Sequence, residues 1–166
     1  STENYECDVL GGYGRIVGYE RYDGRPAPSA ATAVVLDVTV TGAIAVGDTV
    51  TGVTSAATGV VIVVPDATHI VLTKVTGTFV TSETLNVGGL PQATTTSATH
   101  GASTAILRAQ YKNLAADNYR ADIAAATGSG SSLGGVRFGG VLYVWRNNAG
   151  GTAAILWKSS ATGWQG

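Results

Sequence analysis

Between residues 33 and 98, short β-branched runs recur at roughly ten-residue intervals, and each is ended by Gly, Pro or Asp. The runs 34–41, 49–54, 59–64, 69–75 and 79–87 read as five strands. The breaks Val46-Gly47-Asp48, Ser55-Ala56-Ala57-Thr58, Pro65-Asp66-Ala67 and Thr76-Gly77 supply the residue types with which a backbone reverses. Strands this short bury a thin core only by curling into a closed or nearly closed barrel, and closure also removes the Val-rich edges that would pair with other chains.

The flanks differ in texture. Residues 1–31 are polar and aromatic, with Tyr5, Tyr13, Tyr19 and Tyr22 set among Gly and charges. One strand is predicted over 13–20, followed by a loop at Asp23-Gly24-Arg25-Pro26-Ala27-Pro28-Ser29, where Asp-Gly favours a turn and each Pro removes a donor. Beyond a Thr-rich linker at 92–99, a helix is predicted from near Ser103 to near Asp117, with Leu107, Tyr111, Leu114 and Ala115 on one face. The alternation of Tyr119, Ala121, Ile123 and Ala125 with Arg120, Asp122 and Ala124 predicts a strand. A Gly-Ser loop at 127–135 then leads into a three-stranded meander over 136–138, 141–146 and 152–158, turned by Gly139-Gly140 and by Asn147-Asn148-Ala149-Gly150-Gly151. The predicted fold is mainly β, a small β-barrel at 33–99 inserted into a blade-like antiparallel sheet built from 1–32 and 100–166, with one short helix.

With 45% hydrophobic and 13% charged residues the chain is expected to fold, and its net charge of −1, spread singly, provides no footprint for a phosphate backbone. No nucleic-acid partner is expected. The single cysteine, Cys7, cannot close an internal disulfide, and no run of about 18 apolar residues suggests a membrane anchor. The chain has no Met and stops just after Lys158-Ser159-Ser160-Ala161-Thr162-Gly163-Trp164, where a turn should feed another strand, so a piece of a longer protein is expected.

Candidate chemistry is sparse. His69 and His100 lie far apart with no Cys, Asp or Glu at ligand spacing, and Asp66 reads as a turn residue, so no metal and no cofactor are expected. The acid pairs Glu3 with Glu6, Glu20 with Asp23 and Asp117 with Asp122 fall in a polar start, a turn and a helix exit rather than across a cleft. Gly128-Ser129-Gly130-Ser131-Ser132 is a flexible loop by composition and lacks the nucleophile-elbow pattern. Gly11-Gly12-Tyr13-Gly14 lacks the Lys-Ser/Thr ending of a phosphate loop. Ser159 to Trp164 approximates the Asp-box of sialidase-type propellers, but Ala161 stands where Asp is required. Trp145, Trp157 and Trp164 could stack on sugar rings, although aromatics on alternating strands more often fill a core; Trp145 and Trp164 are the candidate glycan contacts. No enzyme is expected.

The segment Gly11-Gly12-Tyr13-Gly14-Arg15-Ile16-Val17-Gly18-Tyr19-Glu20-Arg21-Tyr22-Asp23-Gly24-Arg25-Pro26 resembles the opening of the first blade-like sheet in podophage-type tail nozzle and related tail-tube structural proteins. Tyr143-Val144-Trp145-Arg146-Asn147-Asn148-Ala149-Gly150-Gly151-Thr152-Ala153-Ala154, with Lys158 to Trp164, is similar to a propeller-blade strand, turn and strand in the same family. The central stretch, with Val46-Gly47-Asp48-Thr49-Val50, resembles a small barrel module inserted in phage structural proteins. The resemblance implies a virion component of a phage tail, assembled with copies of itself as a homo-oligomer ring and with other phage tail proteins, its barrel facing outward. A closed propeller needs at least about four blades, and this chain has material for one or two. A carbohydrate-binding or host-recognition module is the alternative expectation.

Overall fold

A computed structural model describes residues 5–7, 13–15 and 23–166 of the chain, the first two segments as backbone only. In chain order the elements are β1 (Tyr5–Cys7), β2 (Tyr13–Arg15), a 3₁₀ turn (Pro28–Ala30), β3 (Val34–Val40), β4 (Thr49–Gly52), β5 (Thr58–Asp66), β6 (His69–Thr76), β7 (Thr84–Val87), β8 (Leu90–Thr95), α1 (Ala105–Asp122), β9 (Ser129–Phe138), β10 (Val141–Asn147), β11 (Ala154–Ser160) and β12 (Gly163–Gln165). Two compact units result, one of Ser1–Arg25 with Ile123–Gly166 and one of Pro26–Asp122.

The second unit is a closed antiparallel barrel with strand order β3-β6-β5-β4-β7-β8, β8 returning to β3. Leu36, Val38, Val50, Val61, Ile70, Leu72 and Leu85 point inward, and Phe79 joins them from the loop before β7. The intervening positions Val35, Ile62 and Val71 point outward into a second apolar layer with Ala31, Ala102, Ala115 and Ala116. This two-sided burial is why β5 and β6 contain continuous apolar runs, at 60–64 and 70–72. Leu107, Tyr111 and Tyr119 of α1 pack against that outer layer.

Three expectations change here. The barrel has six strands, because β8 occupies the first half of what reads as a linker at 92–99. Gly88 and Gly89, both at positive φ, make the hairpin between β7 and β8. The helix runs through Asp122 rather than ending near Asp117, so 119–122 is helical and not strand. Tyr119 continues the Leu107, Tyr111, Ala115 series at four-residue spacing and keeps the core contact. Thr104 caps its start, its hydroxyl accepting from Leu107 N at 3.2 Å, one residue beyond the predicted Ser103. The unit boundary therefore falls at Asp122, and the helix belongs with the barrel rather than with the flanks as the 33–99 boundary has it.

In the first unit, β1 pairs antiparallel with β2, and β12-β11-β10-β9 form a four-stranded antiparallel meander. Residues 16–20 of the strand predicted over 13–20, and most of the Gly11 to Pro26 segment, lie outside the described residues. The meander has one strand more than expected, and β9 begins inside the supposed Gly-Ser loop. Its small residues are paired with β10, which supplies the backbone bonds that composition could not foresee.

Candidate functional site

The two histidines of the chain and two of its acids meet on one edge of the barrel. Asp37 on β3 lies directly across from His69 on β6. The segment after β8 runs on along the other side of β3: Thr96 N donates to Asp37 O at 2.8 Å, and Val35 and His100 exchange backbone bonds of 2.8 and 2.9 Å. That path brings His100 Nε2 to 2.8 Å from Asp37 Oδ1, while His69 Nε2 stands 3.6 Å from the same oxygen. His69 Nδ1 donates to Asp66 at 2.8 Å. Asp66 closes the turn between β5 and β6, accepting also from Thr68 N and Oγ, each at 2.7 Å.

The electrostatics follow from these bonds. The hydrogen bond from His100 holds the Asp37 carboxyl below the usual range, and the Asp37 bond, with the one to Gly101 O, raises the pKa of His100. The bonds from Thr68 and His69 bring Asp66 down to about 2. The imidazole nitrogens face carboxylates, a hydroxyl or a carbonyl, and the cluster clasps β3, the turn before β6 and the segment after β8. Among the described residues no group of three His, Cys, Asp or Glu is placed to hold a metal ion. Spacing alone did not reveal the cluster; only the Asp66-x-x-His69 turn was legible, since Asp37 and His100 meet through barrel closure.

A further carboxylate is buried inside the barrel unit. Glu83, 2% exposed, accepts from Val80 N at 2.8 Å, Ser55 N at 3.0 Å, Ser55 Oγ at 3.0 Å and Thr54 N at 3.2 Å. Burial raises its pKa, but the bonds from Ser55, Val80 and Thr54 outweigh it and the net shift is downward. It ties the loop after β4 to the one before β7, a structural role that sequence reading did not assign.

The sequence-derived sites are dispersed. Register puts Trp145, facing Leu156 and Gly134 across its neighbours, on one face of the meander, and Trp164, facing Ser159, on the other. They do not form a joint sugar platform. Trp164 Nε1 donates to Ala124 O at 2.9 Å, whereas Trp145 keeps 37% of its surface exposed. Among the acids, Asp117 bonds Arg120, Asp122 bonds Lys74, and Asp23 is buried, accepting from Arg25 and from Ala124 N. Glu3 and Glu20 lie outside the described residues, and the Glu6 side chain does too.

Among the described residues of this unit, the face of the meander that carries Trp145 presents several exposed apolar side chains. Val141, Tyr143 and Trp145 of β10 are in register with Phe138, Val136 and Gly134 of β9, and Trp145 with Leu156 of β11. Phe138 is 77% exposed, Val136 48% and Leu156 45%. No protein-family model, curated protein or solved structure matches the chain.

Proposed function

We propose that this chain is a structural component of a tailed-phage tail, a nozzle or tube building block that assembles with copies of itself into a ring and performs no chemistry. The observation that carries the assembly is the open, mainly apolar face of the meander, which Phe138 and Val136 of β9, Val141, Tyr143 and Trp145 of β10 and Leu156 of β11 share, with Lys158 beside Tyr143. Contiguous apolar surface of this kind marks an interaction site. When a different surface of the next copy covers this face the contact is heterologous, and such a contact closes into a ring when the rotation allows. The phage assignment rests on the sequence resemblance of the flanks; a virion location follows from it.

The test is molar mass by light scattering at several concentrations. The unaltered chain is expected to form an oligomer of defined size, and a Phe138→Lys, Leu156→Lys double variant with an unchanged circular dichroism spectrum is expected to be monomeric. A monomer for the unaltered chain at every concentration overturns the assembly reading. The alternative, a carbohydrate-binding or host-recognition module, is favoured by the exposure of the Trp145 ring alone. Glycan binding lost on Trp145→Ala, with the oligomer retained, selects it.

A further inference from the structure

The barrel unit contains four Lys and Arg side chains, Lys74, Arg108, Lys112 and Arg120, and they divide into two classes. Lys74 is bonded to Asp122, and Arg120 to Asp117. The side chains of Arg108 and Lys112 have no hydrogen bond or ion pair with any described residue, although they stand one turn apart on α1, a spacing at which like charges repel. Both border the same cleft of about 220 Å³, whose wall includes Tyr111 and whose floor is made by Ala31, Ala33 and Ala102.

The cleft is built on anchored parts. Ala31 and Ala102 are buried in the layer between helix and barrel. Thr32 is fixed through its carbonyl, which accepts from the buried Thr73 hydroxyl at 2.8 Å. A half-buried aromatic ring and a methyl-lined floor therefore hold their places before any ligand arrives, which limits the ordering cost of binding, and the exposed Arg108 and Lys112 reach the cleft from the helix. The volume lies below the range of clefts that take drug-sized molecules and matches something no larger than one small ring.

From this combination we propose that the cleft between α1 and the segment preceding β3 binds an acidic monosaccharide unit, with Arg108 and Lys112 on its carboxylate and the ring against Tyr111 and the alanine floor. Arg108 can pair with a carboxylate bidentately, and Lys112 adds a point charge from one turn away. The aromatic face and methyl groups cover the apolar side of a pyranose. All residues lining this site belong to the barrel unit, and the proposal does not depend on the ring.

Saturation-transfer NMR of the ligand, which tolerates a large oligomer, tests it on the full chain at low ionic strength. The observed probes are D-glucuronate, D-glucose and acetate, and inorganic phosphate, which has no carbon-bound proton, is added as a competitor of glucuronate. Glucuronate is expected to bind at least about tenfold more tightly than glucose or acetate, since losing either the charge or the ring removes a full set of contacts. Arg108→Gln with Lys112→Gln, both on an exposed helix face, should abolish that binding and leave the circular dichroism spectrum unchanged. Lys158→Gln, on the other unit, should change nothing. Glucuronate binding no better than acetate overturns the sugar site, as does phosphate binding that outcompetes glucuronate, and binding that survives the double variant assigns it elsewhere.

Discussion

His100 makes both of its ring hydrogen bonds only as an imidazolium, because the carbonyl of Gly101 and the carboxylate of Asp37 both accept. Its pKa is raised by those bonds, so its contribution is fully present below the unfolded value of about 6.5 and is lost as pH rises through the higher folded value. Asp37 and Asp66 are lowered, so theirs is present above the unfolded carboxyl value of about 3.9 and is lost as pH falls through the folded one. The clasp should be tightest from about pH 4 to 6.5. Amide exchange at Val35 and His100, corrected for the intrinsic rate, is expected to quicken on either side of that window, and His100→Gln to flatten the alkaline limb. Protection that stays level from pH 5 to 9 in the unaltered chain would falsify the clasp. Gly24 is the other residue with a sharp expectation. It sits at φ +95°, and a Cβ there would lie 2.3 Å from Ser160 O. Gly24→Ala should therefore cost about 2 kcal/mol or more in urea unfolding, through strain and displacement of β11.

At the scale of elements, the helix shows how one side chain from a strand can set a boundary. Lys74 sits at a bulge in β6, at φ +50°, where β6 has one residue more than its partner β5. The bulge directs its ammonium to Asp122 and the carbonyl of Asn118, and over the Tyr119 ring at 5.2 Å. The last turn of α1 thus rests on a residue more than forty positions away. Lys74→Ala is expected to cost about 1 kcal/mol and to raise amide exchange selectively at 119–122. Unchanged exchange there would mean that the Ala-rich sequence holds the helix end unaided. The same mechanism explains why 119–125 reads as a strand: alternation over seven residues fits either element, and the deciding contact is not local. β8 was missed differently. Gly88-Gly89 is as good a hairpin signal as Gly139-Gly140, but Thr-rich residues after it look like a linker until β3 and β7 are there to pair with them.

For the molecule as a whole, the barrel unit interrupts a unit that holds its own chain ends together. Asp23 accepts from Ala124 N at 3.2 Å, and its carbonyl accepts from Ser160 N at 3.2 Å, so the chain leaves and re-enters the meander unit at adjacent points. Replacing 26–122 by a few glycines should leave the meander folded and the subunit number by light scattering unchanged. A folded but monomeric product would move the assembly surface to the barrel. What the sequence determined by itself was the class of structure: β-branched runs cut by Gly, Pro and Asp leave few options other than short antiparallel strands curled into a barrel, and an Asn-Gly-rich meander needs no distant partner to be recognised. What only the tertiary structure decided was everything that depends on closure and docking. Barrel closure gave β8 its partners and drew Asp37, His69 and His100 to one oxygen, docking of α1 on Val35, Ile62 and Val71 extended the helix, and register sent Trp145 and Trp164 to opposite faces. The reason is that local pattern encodes which residues turn and which alternate, while the meeting of residues far apart in the chain is set by which edges close, and a linear pattern does not contain that.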